Sequence, residues 1–190
     1  MKSRAPLLLL LLLALSFAAT PSLAQGDEEG RFALGLGGGM IDTDAGVEPY
    51  LTANLRIRAG YRADDEEHQG SVSGFVEPEV GYWSRDLDDT ETSDLLVGVN
   101  IGGAVRLRMI EYFLGAGVGW HFLDHEILRA GGGSTDDGAL GVNAQFGFDV
   151  RMSNSFSFFG VGRFDLIDVD DEAAFEGEQA KAYLGGRFRF

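Results

Sequence analysis

His121 and its neighbours come closest to a set of residues that could do chemistry. Imidazole and carboxylate groups fall together within a stretch of six residues, at His121, Asp124, His125 and Glu126. Such groups bind divalent metals when a fold brings them to one point. This set has no recognised ligand spacing and is followed by a Gly-rich stretch, so a solvated loop is the favoured interpretation. We therefore predict neither a metal site nor any other cofactor.

Acid–base or nucleophilic catalysis would require a histidine with a serine in reach. Ser155 and Ser157 fall toward the opposite end of the strands predicted below, and the chain has no His-x-Ser pair. We predict no catalysis. His121 is instead expected to point into an interior and to be satisfied by a nearby carboxylate such as Asp124.

Strands must position these residues, because the chain alternates with a period of two and has no convincing period of 3.6. Alternation begins after residue 30 and recurs in eight segments, near residues 32–40, 51–61, 71–83, 94–107, 110–122, 139–151, 155–167 and 179–190. Segments of this length can cross a bilayer at a tilt. A bulge is predicted at Pro78, which cannot donate to a ladder, and the seventh segment alternates least clearly.

The amino terminus has the pattern of an export signal. Lys2 and Arg4 precede an apolar run over residues 7–17, and small residues at 22 and 24 predict cleavage after Ala24. An uncleaved anchor is the alternative, although a spanning helix needs about 20 apolar residues. We predict a signal peptide over 1–24, a polar lead over 25–30 and one domain over 31–190. A membrane-spanning domain of this kind must be a closed barrel.

The acidic residues avoid the alternating segments. The chain has 30 Asp and Glu residues and a net charge of −15, which makes nucleic acid an improbable partner. Only six acids fall inside the segments: Asp94 is the first residue of the fourth, and the other five are Glu77, Glu79, Glu111, Asp149 and Asp165. Because the chain has no cysteine, disulfides cannot stabilise the fold.

Charges inside the segments can pair across neighbouring strands. Turns centred near residues 66–67 and at 108–109 would place Arg56 opposite Glu77 and Arg106 opposite Glu111. Asp165 can likewise face Lys181 across the seventh connection. Opposite charges in such positions stabilise register, and an eight-stranded barrel is only wide enough for side chains to fill it. We predict that these pairs plug the interior.

Alternation alone fits a membrane barrel and a soluble lipocalin-like barrel equally, because the two are inside out relative to each other. The less apolar faces are rich in glycine, which suits a crowded interior better than a solvated surface. On the apolar face of the fifth segment, Tyr112 and Phe122 are separated by about 26 Å at ordinary strand rise and tilt, close to the spacing of two aromatic girdles. These features favour the membrane barrel, and a secreted soluble binder is the alternative.

The connections alternate in length as well. Those over 41–49, 84–93, 123–138 and 168–178 are long, and those at 108–109 and 152–154 are tight, with 62–70 as the exception. An up-and-down barrel with short periplasmic turns and both termini in the periplasm gives this asymmetry.

The last strand supplies a resemblance. Residues 183–190 end on an aromatic residue, and the pattern of Tyr183, Gly185, Phe188 and Phe190 resembles the signal by which barrel-assembly machinery recognises outer-membrane proteins. With the eight segments and the leader, the chain resembles the small eight-stranded outer-membrane barrels, the class of OmpX and of the membrane part of OmpA. The resemblance implies an all-β, antiparallel up-and-down transmembrane barrel in the outer membrane of a Gram-negative bacterium.

The same resemblance implies a structural or interaction role, with outer-membrane lipid and lipopolysaccharide as neighbours. An outer-membrane enzyme that modifies lipid A is the alternative within this architecture, with His121 as its one candidate residue. Neither the ligand nor the oligomeric state is predicted.

Overall fold

A computed structural model describes residues 32–43, 46–59, 70–87, 90–127, 134–168 and 177–190. It contains eight strands: β1 (Phe32–Thr43), β2 (Gly46–Ala59), β3 (Gly70–Leu87), β4 (Thr90–Leu107), β5 (Ile110–Ile127), β6 (Ser134–Arg151), β7 (Phe156–Ile167) and β8 (Glu178–Arg189). Each strand pairs antiparallel with the next, and β8 closes on β1. The predicted all-β up-and-down barrel is confirmed. The described ranges contain no helix that is long and apolar enough to cross a membrane.

The alternating residues of each strand form the inner and the outer surface of the barrel wall. On β5, Phe113 is buried while its neighbours Tyr112 and Leu114 are exposed. The same parity holds on β7, where Phe159 is buried and Phe158 is exposed. The seventh segment looked irregular because several of its inward residues are apolar and fill the interior.

Large inward side chains lie against glycines on neighbouring strands. A Cβ on Gly147 would lie 2.5 Å from the Phe113 ring, and one on Gly81 would lie 2.1 Å from the Tyr50 hydroxyl. A narrow eight-stranded interior has room for such rings only where the facing residue lacks a side chain. The glycine-rich inner faces therefore make room for aromatic and charged groups.

Three of the predicted long connections, over 41–49, 84–93 and 123–138, are largely strand, which corrects the sequence analysis, and most of the fourth, over 168–178, lies outside the described residues. β1 and β2 are separated only by residues 44–45, and β3 and β4 only by 88–89. Polar residues there continue the ladder because a hydrogen-bonded hairpin outside the bilayer needs no apolar face. β3 to β6 have 18 residues each, against 12 in β1, β7 and β8.

Unequal strand lengths give the barrel an uneven rim. Eighteen residues tilted by about 40° span about 47 Å, which exceeds the apolar band of about 25 Å. We call the end opposite the chain termini the hairpin end and the other the terminal end. At the hairpin end, the β2–β3 register continued from Tyr50 and Trp83 brings the ends of these two strands level. β6 runs past the end of β7 there, since their ladder stops at Gly141 and Ile167.

The bulge predicted at Pro78 is wrong. The β2–β3 register is the same on both sides of it, with Asn54 opposite Glu79 and Ile57 opposite Val76. No extra residue is inserted, and the ladder simply skips the residues between these pairs. Proline removes the donor without shifting the strand.

The predicted signal peptide over 1–24 and polar lead over 25–30 lie outside the described residues. So does most of the acidic connection between β2 and β3.

Candidate functional site

The interior near the terminal end holds a network of charges that we call the terminal-side cluster. It consists of five arginines and three carboxylates on β2, β3, β4, β5, β6 and β8: Arg56, Arg58, Arg106, Arg187, Arg189, Glu77, Glu111 and Asp149. These residues meet because each occupies a position whose side chain points into the barrel on one of these six strands.

Arg187 lies at the centre of this cluster. Its guanidinium contacts Asp149, donates to Glu77 at 3.1 Å and to the Asn54 side chain at 3.3 Å, and lies 4.5 Å above the Phe159 ring. Such charge-assisted contacts to several acceptors are the strong kind of hydrogen bond. Arg187 therefore ties β8 to β2, β3 and β6, none of which is its neighbour in the sheet.

Arg56 is held between two rings as well as by charge. Its Nε donates to Glu77 Oε2 at 2.7 Å, and its guanidinium carbon lies 4.3 Å from the Phe75 centroid and 4.0 Å from the Phe113 centroid. Cations over aromatic faces gain energy when they are desolvated. The Arg56–Glu77 pair lies where the β2–β3 ladder is interrupted, so side chains bridge the strands there.

A second group, the hairpin-side cluster, lies nearer the hairpin end. Arg163 contacts Glu79 and donates from Nε to Asp165 at 2.8 and 2.9 Å, and Lys181 Nζ lies 3.2 Å from Asp165. Lys181 also lies 5.1 Å from the Tyr50 ring centroid. Two cations here share two carboxylates.

His121 is paired differently from the expectation. Its Nδ1 lies 2.8 Å from Asp94 Oδ2, which also accepts from Trp83 Nε1 at 3.3 Å. Asp124 is exposed on the outer face and cannot reach the ring. The prediction of Asp124 as its partner is wrong, because odd and even residues of one strand point to opposite sides of the wall.

Two of the four candidate metal ligands, His121 and Asp124, lie on opposite sides of the barrel wall. His121 faces the interior and Asp124 the exterior, while the side chains of His125 and Glu126 lie outside the described set. Among the described residues, no group of three or more potential ligands is placed to hold a metal. His121 is fully buried, so a lipid substrate has no access to its ring in this arrangement.

The three charge pairs predicted from the sequence have short separations. Arg56 and Glu77 are 2.7 Å apart, Arg106 Nη2 and Glu111 3.5 Å, and Lys181 and Asp165 3.2 Å. Contacts that span the interior were missed: Arg187 with Glu77 and Asp149, and Arg163 with Glu79. Inward parity of these charges was the only available signal, since their strands are not neighbours.

Two ladders at the hairpin end stop before their strands do. The β2–β3 ladder ends at Tyr50 and Trp83, and the β6–β7 ladder ends at Gly141 and Ile167. Beyond these points, residues 84–87 pair only with β4 and residues 134–139 only with β5 in the described part of the chain.

The carboxy-terminal strand closes the barrel. Tyr183 and Arg187 face the interior, whereas Phe188 and Phe190 are exposed on the outer face. Gly185 packs beneath the Phe159 ring, and Phe190 stacks on Phe32 with centroids 6.5 Å apart.

Comparison with known proteins identifies the class. The outer membrane protein beta-barrel domain family matches residues 9–188. The chain belongs to this family. Its place is the outer membrane of a Gram-negative bacterium, and its apolar outer face contacts lipid. None of the curated proteins searched matches the chain.

Solved members of this fold have different roles. Neisserial surface protein A aligns at a TM-score of 0.58 and 11% identity, covering 84% of this chain and 96% of that one. Ail, the attachment invasion locus protein of Yersinia pestis, aligns at 0.54 and 13%, covering 86% and 100%. The outer membrane enzyme PagL aligns at 0.51 and 11%, covering 83% and 99%. At such identities the likeness extends to the fold alone.

Proposed function

We propose that this barrel is a surface interaction protein that presents the hairpin end of β6 to a partner and keeps its interior closed. The observation that carries the proposal is the edge of β6 over residues 134–139, which pairs only with β5 among the described residues. An exposed strand edge is a template for pairing with another chain. A filled interior supports the absence of transport, and the full burial of His121 disfavours the lipid A enzyme.

Successive residues of β6 direct their peptide groups to opposite sides, and this determines which N–H and C=O groups a partner strand could bind. Leu140 accepts from the Asp168 N–H at 2.8 Å, so its peptide groups point away from β5. Residues 134, 136 and 138 share that direction, because successive residues of a strand point their peptide groups to opposite neighbours. Asp136 therefore offers a peptide N–H to a partner.

The chemistry around the edge favours a basic partner. Asp136 and Asp137 lie on the edge strand itself, and Asp168 follows β7 beside it. Backbone hydrogen bonds give affinity in strand addition, and side chains select the partner. We infer that the edge binds an extended, cationic protein segment at the cell surface.

The test is a fluorescence-anisotropy titration of the refolded full-length barrel with a labelled peptide of four Lys-Val repeats. Asp136→Pro removes the outward N–H and leaves the β5 ladder intact. We expect this variant to weaken binding about ten-fold, a loss of about 1.4 kcal/mol. Asp136→Asn is the matched control for charge and should retain most of the affinity.

A second peptide separates pairing from charge. It carries the same lysines with proline at alternate positions, so it cannot form a strand. Equal binding of the two peptides, or unchanged binding by Asp136→Pro, would refute strand addition.

We also infer that barrel-assembly machinery recognises the last strand through Tyr183, Gly185, Phe188 and Phe190. Deleting Phe190 should lower the outer-membrane level of the protein more than Phe190→Tyr does, because the tyrosine retains the ring that stacks on Phe32. Immunoblots of outer-membrane fractions measure this. Near-equal levels of the two variants would count against the signal.

A further inference from the structure

The terminal-side cluster contains more positive than negative charge. Among the described residues, its ion pairs join five arginines to three carboxylates, and five minus three leaves an excess of two positive charges. A guanidinium does not lose its proton in a protein, and a buried charge without compensation is costly. The cluster is therefore suited to accept a further anion.

Two arginines at the edge of the cluster have N–H groups left over. Nε and Nη1 of both Arg58 and Arg189 have no hydrogen-bond partner within the described residues. The side chain of Arg189 is 3% exposed, and Arg58 lies close enough to repel its charge. Buried polar groups in folded proteins are almost always hydrogen-bonded, so these donors indicate a missing acceptor.

The carboxylates within reach are already shared. Glu111 lies 2.7 Å from Arg58, 3.5 Å from Arg106 and 3.8 Å from Arg56. The oxygen of the last residue, Phe190, accepts from the Phe32 N–H at 3.3 Å. Neither group provides Arg58 and Arg189 with a carboxylate of their own.

The cluster opens toward the terminal end. The side chains of Arg56 and Arg187 are fully buried, whereas Arg58 is 11% and Arg106 23% exposed. Arg58 lies one residue before the end of β2 and Arg106 one residue before the end of β4. A small anion can therefore approach the unpartnered donors from that mouth without disturbing the central ion pairs.

We propose that the terminal mouth of the barrel binds a phosphate-class oxyanion through Arg58 and Arg189. Planar guanidinium groups fit phosphate oxygens with paired N–H donors. The phosphate can belong to a phospholipid headgroup in the adjoining leaflet or can be free in solution. This site is separate from the free edge of β6, and neither proposal depends on the other.

The first experiment uses the refolded full-length barrel in octyl glucoside, a detergent without phosphate. Inorganic phosphate is titrated at constant ionic strength and followed by ³¹P NMR line broadening. The double variant Arg58→Gln/Arg189→Gln should weaken binding about ten-fold or more. Arg85→Gln is the matched control at the hairpin end, where Arg85 lies 4.0 Å from Glu48, and should leave the affinity within about two-fold.

Heat-modifiable gel migration verifies that each variant is folded. Arg58→Gln alone replaces the double variant if the latter does not fold, because Arg58 is at the rim and the central pairs remain; it should still weaken binding about three-fold.

The second experiment identifies the source of the phosphate. Native mass spectrometry compares barrels from bilayers of phosphatidylglycerol with barrels from a phosphate-free glycolipid. Retained phosphatidylglycerol that is lost in the double variant assigns the site to a headgroup, and phosphate binding without lipid retention assigns it to the free ion.

Three results would overturn the site. One is a phosphate titration that matches chloride together with no retained lipid. Another is equal binding by the folded double variant. The third is binding that appears only after Asp64, Asp65, Glu66 and Glu67 are changed to amides, since the acids of this connection would then be the occupant.

Discussion

The two ion clusters differ in how their charges are shared. In the terminal-side cluster one arginine, Arg187, connects two carboxylates on different strands, and each carboxylate serves several arginines. In the hairpin-side cluster Arg163 and Lys181 share Asp165, so losing one cation leaves the carboxylate with another. Losing Arg187 therefore removes a partner from two buried carboxylates at once, whereas losing Lys181 affects only Asp165.

The largest effect is expected for Arg187→Met. It leaves Glu77 and Asp149 buried with fewer partners, and breaking a buried pair costs about 3–5 kcal/mol. Urea unfolding in lipid vesicles, followed by tryptophan fluorescence, measures the loss. Arg187→Lys retains the charge without the paired donors and should lose less.

A smaller effect is expected for Lys181→Met in the hairpin-side cluster. Asp165 would still accept from Arg163 Nε at 2.8 Å, so the free energy of unfolding should fall by about 1–2 kcal/mol. The same urea titration applies. Equal losses for Lys181→Met and Arg187→Met would break the comparison between the clusters.

The smallest effect is expected for His121→Ala. Asp94 would retain the Trp83 donor at 3.3 Å, so about 1 kcal/mol of stability should be lost. Lipid A from cells carrying this variant should have the wild-type acylation pattern by mass spectrometry. A changed pattern that matches a deletion strain would instead assign lipid A chemistry to this barrel.

Charge pairs on neighbouring strands and charge pairs across the interior differ in whether the sequence predicts them. Pairs on consecutive strands, such as Arg106 and Glu111, follow from the position of one turn. Pairs across the interior, such as Arg187 with Glu77, depend on how strongly the closed sheet is tilted and staggered. The lengths of the alternating segments do not determine this tilt and stagger.

The outer rim illustrates a second limit. The polar character of residues 84–87 and 134–138 predicted loops, yet both stretches continue strands. Alternating hydrophobicity marks a strand only where one face is buried in lipid or core. Beyond the bilayer the backbone ladder persists with polar side chains on both faces, so the pattern disappears while the structure continues.

By itself the sequence determined the class of this protein: eight alternating segments, a glycine-rich inner face and an aromatic final strand specify a closed membrane barrel. The tertiary structure decided which charges meet across the interior, that His121 pairs with Asp94, and that β6 continues past the end of its ladder with β7. Alternation determines the side of the wall to which each residue points. Only closure of the sheet determines what lies opposite it.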